Sequence, residues 1–179
     1  DIKNLIFKSK KNIYLSENDN KIGFKFLQNL GIESYDKFVC ISDRDSSYLK
    51  SYNPNKDYSY HSYRDVNIDN YNKAINHLVN LGYYVFRMGR EVEKKIKINS
   101  KKVIDYANSS YKSDYLDLFL AANCEFCISS GTGWDVVATH TFRKPCLYTN
   151  LVPISNIYTW SENFLIITKR HVDMISGKE

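Results

Sequence analysis

The stretch CEFCISSGTGWDVVATHTFRKPCLYTN, residues 124–150, decides how this chain is read. An apolar run, EFCISS, stops at Ser129-Ser130-Gly131-Thr132-Gly133, and a segment of helical spacing, TGWDVVATHTF, follows at once. A second apolar run, PCLYTN, comes next. Strand, small-residue turn, helix and strand in that order is the repeating unit of a parallel sheet. Glycines in such a turn let backbone amides approach a ligand closely, and a helix opening there offers unpaired N–H groups with partial positive charge. Ser130 and Thr132 add hydroxyls. The turn therefore reads as a seat for a phosphate or diphosphate, or as a tight turn in which Thr132 caps the helix. It has neither a Walker lysine nor the third glycine of the dinucleotide fingerprint.

The same alternation extends outward. KFVCIS (37–42), YYVFRMG (83–89), KVIDYA (102–107) and NFLIITKR (163–170) read as strands, most of them continuous apolar runs of the kind a sheet buried on both faces requires. NIDNYNKAINHLVNLG (67–82) is an amphipathic helix with Ile68, Tyr71, Ile75, Leu78 and Leu81 on one face and Gly82 at its end. SDYLDLFLAANC (113–124) opens with a Ser/Asp cap and runs as a helix, and FKFLQNLGI (24–32) has helical spacing closed by a glycine. The predicted class is α/β, three layers around a mainly parallel sheet. Residues 1–36 read as a lead-in segment and helix, and 37–179 as one domain without internal repeats. DRDSSYLKSYNPNKDYSYHSYRDV (43–66) is long, polar and tyrosine-rich, and reads as a functional loop.

The bulk properties narrow the classes. A chain of 179 residues with 43% hydrophobic and 25% charged residues is a soluble globular domain in composition, and no apolar stretch reaches the roughly 18–20 residues of a membrane span. The net charge of +5 suits an anionic small ligand or an anionic membrane surface. The lysines are scattered, and their densest group, EVEKKIKINSKK (91–102), is broken by glutamates, so nucleic acid is not an expected partner. Cysteines stand at 40, 124, 127 and 146, each in or beside an apolar run. Without a second pair or a His-x-x-x-His they do not form a zinc pattern, and they read as buried free thiols.

In an open parallel sheet, ligands bind where strands end and helices begin. Three such ends carry chemistry here: Asp43-Arg44-Asp45-Ser46-Ser47, Arg87-Met88-Gly89-Arg90 and Ser129-Ser130-Gly131-Thr132-Gly133. Arg44 and Arg87 suit bidentate phosphate recognition, against the alternative of surface ion pairs with Asp43 or Asp45 and with Glu91 or Glu93. Asp43 and Asp45 offer a base; two carboxylates without further convergent ligands do not make a metal site, and no metal or cofactor is expected. His61 and Arg64, just ahead of a helix, are candidates for a sugar or acceptor contact.

These residues carry a resemblance. RDSSYLK, HSYRDVNIDNYNKAINHLVNLGYYVFRMG and SSGTGWDVVATHTFRKPCLYTNLVPI, in this order and spacing, resemble a family of bacterial glycosyltransferases found with surface-polysaccharide genes, over roughly residues 37–172. The last of them resembles the nucleotide-sugar-binding half of GT-B enzymes; heptosyltransferase-like and fucosyltransferase-like enzymes use a comparable arrangement. The resemblance implies a Rossmann-like domain, the C-terminal half of a two-domain enzyme. Such an enzyme transfers a sugar from a nucleotide-sugar to a glycan or lipid-linked acceptor without a metal, in the cytoplasm or at the inner face of the membrane. It implies that Ser130, Gly131, Thr132 and Gly133 hold the donor diphosphate, that Arg44, Arg87 and Gly89 join them, and that Asp43 is catalytic. A full GT-B enzyme is about twice this length, so the acceptor-binding half would lie outside these residues. Two other classes stay open: a non-catalytic module for a nucleotide, anionic metabolite or carbohydrate, and a phosphatase or hydrolase. The last lacks G-x-S-x-G and any diagnostic spacing of His140 or His171 to Ser130.

Overall fold

The computed structural model describes residues 8, 9 and 11–178. Among the described residues six strands form one sheet: β1 (Phe38–Ser42), β2 (Tyr84–Met88), β3 (Val103–Ile104), β4 (Cys127–Ser129), β5 (Cys146–Leu151) and β6 (Phe164–Thr168). Their order is β3-β2-β1-β4-β5-β6, and every neighbouring pair is parallel. This is the order of a doubly wound Rossmann-like sheet, which reverses direction between β1 and β4. The sheet is thus wholly parallel, as the apolar runs require.

The helices are α1 (Glu17–Asn29), α2 (Ser47–Tyr52), α3 (Asn72–Asn80), α4 (Asp114–Asn123) and α5 (Gly133–Val136), the last continuing as a π-helical turn over Val137–Thr141. One face of the sheet presents Cys40, Phe86, Cys127, Cys146 and Tyr148 to Leu27 of α1, to Leu116, Phe119 and Leu120 of α4, and to Ala138. The other presents Val39, Ile41, Val85 and Ile128 to Ile75 and Leu78 of α3, with Ile68 and Tyr71 just before it. Alternate residues of each strand serve the two layers, the period-2 pattern of a pleated strand. Helix α1, part of the expected lead-in, packs on α4 inside the same core.

Local chemistry moves several boundaries. Helix α1 begins at Glu17 because Ser16 and Asp19 form a reciprocal cap: the Ser16 hydroxyl accepts from the Asp19 amide (3.1 Å), and the Asp19 carboxylate accepts from the Ser16 amide (3.2 Å). Residues 68–71 form a 3-10 turn ahead of α3, and Leu81 falls past the helix end, 61% exposed rather than on the buried face. The expected loop at 43–66 contains α2 and a 3-10 segment, Ser59–Arg64, neither of which buries a residue. Strand β3 is two residues long. All four cysteines are free and buried; Cys40, Cys127 and Cys146 lie side by side on β1, β4 and β5, with Cys124 capping α4. Among the described residues no helix is long and apolar enough to cross a membrane.

Candidate functional site

The loops that end β1 and β4 are tied together. Ser42 and Thr132 share a hydrogen bond between their hydroxyls at 2.7 Å, the Ser130 amide donates to the Ser42 carbonyl at 3.1 Å, and the Arg44 amide donates to the Ser130 hydroxyl at 2.8 Å. Behind them Asp135 organises the turn. Its carboxylate accepts from the Ser129 hydroxyl at 2.6 Å and from the Thr132 amide at 3.3 Å, and Thr132 and Asp135 form a reciprocal cap at the start of α5. Gly131 has φ of +80°, a conformation natural to glycine, and its amide donates to the Ser129 hydroxyl at 3.1 Å. Burial pushes the Asp135 carboxyl up to about 6, against the pull of its hydrogen bonds.

This geometry divides the expected diphosphate seat. The amides of Ser130, Gly131 and Thr132 all have partners inside the protein, so the first part of the turn is a structural knot. Thr132 and Gly133, with the opening of α5, face outward.

They face a cleft of about 510 Å³ at the carboxyl ends of β1, β2 and β4, where the strand order reverses. This is the place where open α/β sheets bind ligands, and the volume falls within the roughly 300–1,000 Å³ of small-molecule sites. Asp43, Arg44 and Gly89 line it beside Thr132 and Gly133. Five apolar side chains, Leu49, Val92, Leu118, Trp134 and Val137, form walls that the sequence reading did not assign. Trp134 is held there by a hydrogen bond from its indole N–H to the Asp117 carbonyl (3.2 Å). Asp117 also lines the cleft, and burial raises its carboxyl.

Arg87 is placed differently from the expectation that it meets a ligand diphosphate. It is the penultimate residue of β2, fully buried, and its Nε and Nη2 donate to the two oxygens of Asp43 at 2.9 and 3.0 Å. Nη1 donates to the Lys94 carbonyl at 2.5 Å, and Asp45 and Asp105 stand at 3.9 and 3.8 Å. Glu91 and Glu93 are not its partners. Asp43, the catalytic candidate, lines the cleft with a carboxylate already held from both sides by Arg87. Its pKa is raised by burial and drawn back by that guanidinium. Asp45 is engaged too, accepting from the amides of Ser47 (2.9 Å) and Glu93 (2.8 Å). The Asp43–Arg87 pair therefore anchors the loops after β1 and β2 beneath the cleft.

Two arginines, Arg44 and Arg90, line the cleft, and of the two Arg44 is the more buried. Arg44 Nε lies 3.7 Å from Asp65 and has no hydrogen-bond partner. Burial lowers its pKa, and so does repulsion from Arg64, which the fold brings near it from the 3-10 segment. His61, on the same segment, lies with its ring tilted against that of Tyr60, centroids 4.2 Å apart. Neither His61 nor Arg64 lines the cleft itself.

No protein-family model matches the chain, and no curated protein does. A solved structure, the ADP-heptose lipopolysaccharide heptosyltransferase II of E. coli, is similar to it at 14% identity and a TM-score of 0.48. The likeness covers 87% of this chain and 44% of that one, so the chain spans less than half the length of the structure it matches.

Proposed function

We propose that this chain is the donor-binding domain of a GT-B type glycosyltransferase, moving a sugar from a nucleotide-sugar to a glycan or lipid-linked acceptor of a bacterial surface polysaccharide. The observation that carries this reading is the cleft at the β1/β4 switch point, with Arg44 on one lip and Thr132 and Gly133 at the head of α5 on the other. The apolar walls from Val92, Leu118 and Trp134 suit a nucleobase, and Arg44, with Arg64 close behind, suits the diphosphate.

In this reading the acceptor hydroxyl attacks the anomeric carbon while the bond from that carbon to the diphosphate breaks. The electron pair leaves on the diphosphate oxygen, where fixed positive charge stabilises it without a metal. The acceptor proton goes to a base on a facing acceptor-binding half outside these residues, since Asp43 and Asp45 are engaged here. The domain works in the cytoplasm, at the inner face of the membrane where lipid-linked acceptors are presented. That engagement of Asp43 also favours a second reading, a nucleotide-binding module without catalysis.

The test is a thermal-shift titration with UDP, GDP, CMP and their sugar forms. A ligand at about 100 times its Kd adds ~2.7 kcal/mol, raising Tm by about 5–10 °C for a domain of this size. One nucleotide should do so, and Arg44→Ala and Leu118→Asp should both abolish the shift. If every nucleotide leaves Tm unchanged, or both variants bind like wild type, the donor-site reading fails. Nucleotide binding without sugar transfer, even when the facing half is supplied, selects the second reading.

A further inference from the structure

We propose that the cavity at the amino ends of β5 and β6 is a second binding site, specific for one tetrahedral oxyanion such as phosphate or sulfate. It lies at the opposite end of the sheet from the cleft described above. Its volume is about 150 Å³, and Thr139, Arg143, Lys144, Trp160, Ser161 and Asn163 line it. That is too small for a nucleotide, whose sites begin at roughly 300 Å³.

The lining is rich in donors. Arg, Lys and the Trp indole can only donate hydrogen bonds, and no carboxylate lines the cavity among the described residues. Two of the donors are stranded: Arg143 Nε and Trp160 Nε1 are buried and have no acceptor. A buried donor left unpaired costs about 1–3 kcal/mol, so two at one cavity point to an acceptor that completes them.

Both side chains are held in place. The Arg143 Nη2 donates to the Ser9 hydroxyl at 2.9 Å, and the guanidinium lies 5.4 Å over the Trp160 ring. That ring packs edge-on against Phe164 at 4.8 Å and, tilted, against His140 at 4.7 Å. The backbone supports the same reading. Arg143 has φ of +58°, a left-handed conformation costly for a residue with a side chain. The Lys144 amide fixes the turn by donating to the Ala138 carbonyl at 3.0 Å. Positive charge is concentrated here as well: Lys11, whose pKa is lowered first by burial and then by repulsion from Lys144, stands close by.

A ligand made only of acceptors and carrying negative charge meets all of these groups. Four oxygens can answer donors on Arg143, Lys144, Trp160 and Ser161, which all line the cavity, better than the two of a planar carboxylate do.

The experiment titrates sodium phosphate, sulfate and acetate against chloride at matched ionic strength, following Tm and tryptophan fluorescence. Phosphate and sulfate should raise Tm beyond chloride. The shift should persist in Arg44→Ala, which alters only the other cleft. It should weaken at least about tenfold in Trp160→Phe, which keeps a ring and removes the indole N–H, and in Lys144→Met. The proposal is overturned by a shift that survives both of these variants, by one lost in Arg44→Ala, by a response to acetate alone, or by no shift beyond that of chloride. No nucleotide enters the assay, so its outcome is independent of the donor-site reading.

Discussion

Replacing Gly23 by alanine tests how α1 is seated. On propensity alone the change should help, because glycine inside a helix is about 0.5–1 kcal/mol worse than alanine. The structure reverses the sign. A Cβ added at Gly23 would lie 2.1, 2.2 and 2.4 Å from Cδ2, Cε2 and Cγ of the Phe119 ring. Carbon atoms in good contact sit roughly 3.5–4.0 Å apart, so ring and helix must separate by more than about 1 Å. Phe119 has little room to yield: it is fully buried, with Phe24 edge-on at 5.4 Å and Tyr115 stacked at 6.4 Å. Overpacking of this kind costs about 1–3 kcal/mol, and a clash with the face of a buried ring belongs at the upper end. Subtracting the propensity gain leaves a net loss of ~2 kcal/mol, or about 4–8 °C in Tm for a domain of this size. Urea and thermal unfolding of Gly23→Ala, Phe119→Leu and the double variant would measure it. The double variant should be more stable than the two single losses predict, since the smaller side chain makes room for the methyl. A Gly23→Ala protein as stable as wild type, with no coupling to Phe119, would show that α1 does not dock on α4 as described.

Three further outcomes follow from the site. Burial raises the Asp135 carboxyl to about 6 against ~3.9 unfolded, so the native state holds its proton more tightly; the contribution of this group to stability is fully present below pH ~4, and about 3 kcal/mol of it is lost as pH rises through 6. Asp135→Asn should remove that component from the pH dependence of the unfolding midpoint, and identical profiles for both proteins would refute it. Asp43→Ala leaves Arg87 buried without its bidentate partner and should cost about 3–5 kcal/mol in urea unfolding, whereas a side chain serving only catalysis would leave stability unchanged. Thr132→Ala removes the cap of α5 and the bond to Ser42, for a loss of about 1 kcal/mol or more, measurable by the same unfolding.

The sheet was legible in the sequence because fully buried parallel strands must be continuous apolar runs, and FVCIS and YVFRM stand out as such. The α2 and 3-10 segments were hidden because neither buries a side chain, so neither leaves a periodic trace. Ser16-x-x-Asp19 did signal the true start of α1, through a cap that apolar spacing alone does not reveal. At the site, Arg44, Thr132 and Gly133 could be placed from strand ends. Arg87 does stand next to the end of β2, but only the fold reveals that its side chain is spent on Asp43 beneath the same loops. The apolar walls at Val92, Leu118 and Trp134 come from three separate segments, whose meeting depends on the crossovers rather than on any local pattern.

The order of the strands also governs how the chain reaches its fold. Ser42 and Thr132, which close the switch point, are 90 residues apart, and α1 meets α4 through a Tyr115–Asp19 hydrogen bond spanning 96 residues. On a ribosome the first helix therefore emerges long before its partner exists. The β1–β2 pair with α3 can assemble early, but the other face of that sheet has only α1 to cover it until α4 has been made. Contacts of such long separation pay their loop entropy before they are rewarded, which makes folding slow for the size of the domain. Cys40 and Phe86 wait on that face, so the chain is most exposed to aggregation while the residues of α4 are still to be made.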